Sequence, residues 1–128
     1  MSPIEEIKAR LSKYPGVLVE ADSHSVRVIP NSPTGFEVEF SMNRDSYIVA
    51  FEGWHENFAD QTEALNCFAF GLSDKCRLKE YRRGNFPYKW TVEFLDGEQW
   101  TKESTTGLLL FPFWRKRTVR YLQNSLVV

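Results

Sequence analysis

The densest group of ionisable side chains in the sequence is Glu52, Trp54, His55, Glu56 and Asp60, where an imidazole stands beside several carboxylates. This is the raw material of acid–base catalysis or of a metal site, because histidine titrates near neutrality and a carboxylate orients it or shares its ion. A small metal-dependent or acid–base enzyme would therefore be centred on His55, Glu56 and Asp60. The spacing falls short of that chemistry. No second histidine stands four residues from His55 to put two ligands on one helical face, and His24 joins the group only through folding. A solvated loop held by the Trp54 ring is the competing account.

Other catalytic signatures are missing from the sequence. No G-x-S-x-G elbow occurs, neither Cys67 nor Cys76 has a histidine beside it, and their spacing fits neither a zinc pattern nor a redox pair. Gly53, Gly71, Gly84, Gly97 and Gly107 are isolated and mark turns rather than a phosphate cradle. No cofactor or metal is expected, and a non-enzymatic role is favoured.

Two basic, aromatic groups are better candidates for contact. Arg77, Lys79, Tyr81 and Arg83 alternate onto one face of a predicted strand at 76–83, with Glu80 and Arg82 on the other, and charge on both faces predicts an edge position. Sheets that bind single-stranded nucleic acid mix cations and rings in this way. Phe113, Trp114, Arg115, Lys116, Arg117 and Arg120 form a second group, whose guanidinium groups suit phosphates or carboxylates. The pI of about 6.1 lies far below the value above about 9 of a dedicated nucleic-acid domain. Nucleic acid is therefore the weaker partner class.

Charge is nonetheless polarised along the chain. Residues 1–72 carry 5 Lys/Arg against 11 Asp/Glu, and residues 73–128 carry 11 against 6, within a whole-chain net charge of -1. Halves lying side by side in one sheet would neutralise each other; otherwise a basic face remains for an anionic partner.

These residues must be positioned by the elements around them. The stretch 54–72, WHENFADQTEALNCFAFGL, reads as the organising helix, apolar almost all round, with Asp60 and Glu63 as a capping box and Gly71 as its stop. A first helix begins at Ser2, Pro3 and Glu5, carries Ile4, Ile7, Leu11 and Tyr14 on its inner face, and ends before Pro15 and Gly16. Between the helices, 17–21 and 26–29 form a hairpin with His24 at its tip. Phe36, Val38, Phe40 and Met42 alternate with polar residues, and 47–52 reads as a central strand.

After the second helix, Asp96-Gly97 is the strongest hairpin signal. A two-residue loop there pairs Leu95 with Glu98 and Glu93 with Trp100, so Tyr88, Trp90, Val92 and Phe94 face the core and Trp100 the opposite side. The run 108–114, LLLFPFW, is dense enough in apolar residues to predict burial, with Pro112 implying an edge or bulge. A strand at 118–123 and a short frayed tail at 124–128 complete the chain. Val38-Glu39-Phe40 recurs as Val92-Glu93-Phe94, but on non-equivalent strands.

At 128 residues with 4 Trp, 5 Tyr and 10 Phe, the chain is expected to be one α+β domain over residues 1–128 with a ring-rich core. The expected architecture is a curved, mostly antiparallel sheet of about seven to eight strands with two helices packed on it, in the order α-ββββ-α-ββββ. MSPIEEIKAR has acids where a signal peptide needs a basic segment, and no stretch approaches the ~18 apolar residues of a membrane span. A cytoplasmic protein without a membrane partner is expected, its two cysteines reduced and structural. The favoured function is a non-catalytic binding or interaction domain that meets a protein partner, a small ligand or a second copy of itself. Arg77, Lys79, Tyr81, Arg83, Trp100, Trp114 and Arg115 are the expected contact residues.

Overall fold

Ser2 caps the first helix with a closed capping box, its hydroxyl accepting from the Glu5 N–H while the Glu5 carboxylate accepts from the Ser2 N–H. The computed structural model, which describes residues 2–125, carries this start into helix α1 (Pro3–Leu11), with Ile4, Ile7 and Leu11 buried. The helix stops a turn before Tyr14, which is only half-buried.

Five antiparallel strands follow as a meander: β1 (Leu18–Ala21), β2 (Ser25–Ile29), β3 (Val38–Met42), β4 (Tyr47–Phe51) and β5 (Trp54–Phe58). The β1–β2 turn is built by Asp22, whose carboxylate accepts from the backbone of His24 and Ser25, placing His24 at the tip. Alternation along β2, β3 and β4 sends Val26, Val28, Val38, Phe40, Val49 and Phe51 inward. Strand β5 corrects the reading of 54–72 as one helical stretch. WHENF alternates as a strand, with Trp54 buried and Phe58 half-buried on one side, and pairs residue for residue with β4.

Helix α2 (Gln61–Leu72) is capped by the Asp60 carboxylate, which accepts from the N–H groups of Thr62 and Glu63. Of the expected box, only this Asp60 half is formed. Ala64, Phe68, Gly71 and Leu72 are buried, and Leu65, Cys67 and Phe70 pack half-buried around them, while Thr62, Glu63, Asn66 and Ala69 form one exposed face, so the helix is less enclosed than its apolar sequence suggests. Gly71 lies within the helix rather than ending it. A Cβ there would come 2.3 Å from Phe51 Cε1, so glycine lets helix and sheet approach. The stop falls at Ser73, whose backbone N–H and hydroxyl both donate to the Phe70 carbonyl.

The remaining strands are β6 (Cys76–Arg83), β7 (Phe86–Asp96), β8 (Gln99–Gly107) and β9 (Arg117–Leu122), ordered β8-β7-β6-β9 in a second antiparallel sheet. The fold is α+β, with nine strands in two sheets in place of the single curved sheet expected. The two halves also differ in strand order, so the Val-Glu-Phe recurrence has no counterpart in topology. One cluster of buried side chains joins both sheets and both helices. Trp54 helps to knit the sheets, stacking on Phe51 with centroids 4.7 Å apart and donating its indole N–H to Ser104 Oγ at 2.7 Å. Gly53 beside it lies where a Cβ would meet the Trp90 ring at 2.4 Å.

Strand β6 is central, paired with β7 and β9, which corrects the edge assignment. Charge on its inner face is matched rather than solvated. Buried Glu80 accepts from Arg120 Nη2 at 3.0 Å and from the Trp90 indole at 3.2 Å, and lies 3.5 Å from Arg82 Nε. The tail is also held, since Asn124 is buried against Phe36 and Gly71; residues 126–128 of the expected frayed segment lie outside the described residues. None of the described helices is long and apolar enough to cross a membrane.

Candidate functional site: the outer face of the four-stranded sheet

The alternation that buries Cys76, Leu78 and Glu80 turns Arg77, Lys79, Tyr81 and Arg83 to the opposite face of β6, as expected from the sequence. Register extends that face across the sheet. Lys89, Thr91 and Glu93 come from β7, and Arg117, Val119 and Tyr121 from β9. Trp100 and Lys102 join from β8.

Trp100 lies on this outer face, as the hairpin reading required, but its partner is Leu95 rather than Glu93. The turn is displaced by one residue. Asp96 pairs with Gln99 and the loop is Gly97-Glu98, with φ +65° at Gly97, the arrangement of a type II′ turn with glycine first. Side-chain direction survives because the register moves by an even number, whereas an odd slip would have sent Trp100 inward.

The face is organised by cations against rings. The Arg77 guanidinium lies 4.5 Å from the Trp100 ring centroid and 4.2 Å from that of Tyr121, linking a ring of edge strand β8 to one of edge strand β9 across the face. Its Nη2 is 2.6 Å from the Glu93 carboxylate on the facing strand, and Nε donates to the same oxygen at 2.8 Å. Tyr81 is surrounded by Lys89 at 4.2 Å, Arg117 at 4.8 Å and Lys79 at 5.0 Å. Burial alone would raise the Tyr81 phenol, but hydrogen bonds with Lys79 and Thr91 and the charges of Lys79 and Lys89 outweigh it, and the phenol sits below its ordinary value. The hydrogen bond with Tyr81 correspondingly raises the Lys79 ammonium above its usual range.

No helix or strand among the described residues packs over this face. Half-exposed long side chains cover it themselves, and Thr91 is buried beneath them with its hydroxyl 2.8 Å from that of Thr105. Positive charge collects here because the acidic and basic halves form separate sheets. Every ion pair among the described residues, including Arg27 with Glu20 and Arg77 with Glu93, joins groups of the same half. The polarity of the sequence is therefore kept in space.

A β-bulge where the β6–β7 register shifts between Tyr81 and Arg82 leaves Tyr88 unpaired. Tyr88 is buried, yet outside the main core: its ring lies 6.5 Å from Tyr81 and stacks on Phe111 at 4.3 Å. Arg83 reaches towards the same ring at 5.7 Å. Trp114 and Arg115 lie on the segment 108–116 that leaves β8, with Arg115 at the margin of the face, where its carbonyl accepts from Arg83 Nη1 at 3.4 Å. That segment forms no strand, and its expected burial is overturned, with Leu108, Leu109, Leu110, Phe113 and Trp114 exposed. The sequence reading of this segment missed Phe111, the one ring that anchors it.

The His55 group is not brought together. His55 and Glu56 are successive residues of β5 and point to opposite faces, and the Asp60 carboxylate is occupied in capping α2. Glu52 sits in the β4–β5 turn with φ +54°, its carboxylate accepting from the Glu37 N–H. Among the described residues no cluster of three His, Cys, Asp or Glu side chains is arranged to hold a metal. Burial pushes the Cys67 thiol up to about 12 and raises Cys76 further, so both are protonated at neutral pH.

No family model, curated protein or solved structure matches the chain.

Proposed function

We propose that the protein is a non-catalytic binding domain whose four-stranded sheet presents its outer face to an acidic surface of a partner protein. The observation that carries this reading is the uncovered array of Arg77, Lys79, Lys89, Lys102 and Arg117 around Trp100, Tyr81 and Tyr121, with Glu93 the carboxylate that register places among them. Arginines already braced against rings lose little conformational freedom when they meet a carboxylate, which favours binding. The same bracing disfavours single-stranded nucleic acid. Arg77 occupies a face of both Trp100 and Tyr121, so a base must displace the guanidinium before it stacks.

A fluorescence titration with polyglutamate and with oligothymidylate tests the choice. Polyglutamate is expected to bind with affinity that falls as salt rises, and Lys89→Glu with Arg117→Glu is expected to abolish binding without altering the circular dichroism spectrum. Tighter binding of the oligonucleotide would move the site to nucleic acid. Salt-independent binding, or none, would overturn the reading.

A further inference from the structure

The exposed apolar segment after β8 is held in place rather than loose. At one end the Leu108 N–H donates to the Tyr88 carbonyl at 2.7 Å, and at the other the Gly84 N–H donates to the Lys116 carbonyl at 2.8 Å. Phe111 stacks on Tyr88 between these ties, and Arg83 Nη1 donates to the Arg115 carbonyl at 3.4 Å. The β6–β7 end of the sheet thus fixes both feet of the loop. What it presents to solvent is apolar: Leu109 is 97% exposed, Leu110 88%, Trp114 72% and Phe113 69%. A monomer gains nothing from such a display, and contiguous exposed apolar side chains of this size mark a contact surface.

We propose that this loop inserts its leucines and rings into the surface of an anionic lipid bilayer, with Arg115 and Lys116 set against the headgroups. The order of chemistry fits the layers of a membrane interface. Leu109 and Leu110 are the most exposed apolar side chains of the loop, Phe113 and Trp114 follow along the chain as rings suited to the headgroup boundary, and Arg115 and Lys116 come at once after them. A fluid bilayer accepts separate prongs where a protein would need a pocket for each. An isologous pairing of two copies through the loop would bring the two Arg115-Lys116 pairs face to face, which charge repulsion opposes. Contact of this kind needs no membrane-spanning helix, and it is independent of the partner reading for the sheet face.

Flotation of the full chain with phosphatidylcholine vesicles, with and without phosphatidylglycerol, tests the proposal. Recovery with the anionic vesicles is expected, with a blue shift of tryptophan emission that disappears in Trp114→Phe while flotation persists, because Trp54 and Trp90 are already buried and Trp100 sits at the opposite end of β8, beside the Gly97 turn. Leu109→Asp with Leu110→Asp should abolish flotation while leaving the circular dichroism spectrum unchanged, the two side chains being in solvent already. Arg115→Gln and Lys116→Gln should each weaken binding to the anionic vesicles roughly fivefold. The proposal is overturned if the unaltered chain stays unbound, if the double aspartate variant floats as well as it does, or if that variant instead converts a dimer to a monomer in sedimentation. The last result would assign the loop to self-association.

Discussion

Asn124 closes the end of the chain onto the backbone of Phe36, accepting from the Phe36 N–H at 3.1 Å through Oδ1 and donating to the Phe36 carbonyl at 3.1 Å through Nδ2. The same amide nitrogen donates to the Gly71 carbonyl at 3.0 Å, so one buried side chain ties a loop of the first half to the last turn of α2. Asn124→Ala leaves those backbone groups without a partner and out of reach of water. The expected loss of stability is about 3 kcal/mol, from the cost of orphaned buried groups, and a urea midpoint with unchanged m-value would measure it. A loss below about 0.5 kcal/mol, the scale of ordinary surface changes, would mean that water replaces the amide.

Gly71 makes a separate prediction about close packing. A methyl group there meets the ring of Phe51, which is stacked on Trp54 and lies 5.5 Å from Phe36, so the ring has little room to retreat. Alanine has the better intrinsic helix propensity, by about 1 kcal/mol. Overpacking nevertheless decides the sign, and Gly71→Ala is expected to destabilise by about 1–3 kcal/mol. Thermal unfolding distinguishes the two, since a raised midpoint would show that the helix moves away from the sheet cheaply.

Helix starts were legible because they are written locally: Ser2 with Glu5, and Asp60 before an apolar run, need no knowledge of the rest of the chain. The cationic face was legible for a similar reason, since alternation along β6 fixes which side chains share a side. Partition into two sheets and the place of β9 beside β6 were not, because both depend on which strands pair at long range, and no short-range pattern records that choice. The edge assignment of β6 failed on the same point. Glu80 and Arg82 looked like charges left for water, but Arg120, which matches Glu80, arrives from β9. In 108–114 apolar density pointed to burial, and among its rings Phe111 is the one that stacks on a ring of the sheet, while Phe113 and Trp114 meet only each other.

Glu80 can therefore be tested as a structural anion. Glu80→Ala removes the acceptor of the Trp90 indole and leaves Arg120 and Arg82 without their shared carboxylate. Both arginines keep some access to water, with side chains 48% and 27% exposed, so the cost is expected to be near 2 kcal/mol, below the 3–5 kcal/mol of a fully buried broken pair. Arg120→Ala in the same protein background should then add little, because the interaction is already gone, and a double-mutant cycle would measure that coupling.

Trp100→Ala separates folding from binding. The ring lies on the uncovered face and its main partner is the Arg77 guanidinium, which keeps Tyr121 and Glu93 when the indole is removed. Stability should fall by no more than about 1 kcal/mol, the scale of an exposed cation–π contact, while affinity for polyglutamate drops. Unfolding of the variant would place Trp100 in the core and remove the proposed face.

The thiols provide a pH test with a definite sign. Burial pushes Cys67 up to about 12 and raises Cys76 as well, whereas in the unfolded chain both return to an ordinary thiol value near 8.5. Below that value both states carry the proton and stability is unaffected. Above it the unfolded chain releases protons that the folded chain retains, so stability falls as pH rises from about 9 towards 12. Cys67→Ala with Cys76→Ala should flatten that alkaline slope, and Cys76 in the native protein at neutral pH should resist thiol-labelling reagents until denaturant is added. Rapid labelling of Cys76 in the folded protein would show that the core around the start of β6 opens on its own, and with it the packing that holds the two sheets together.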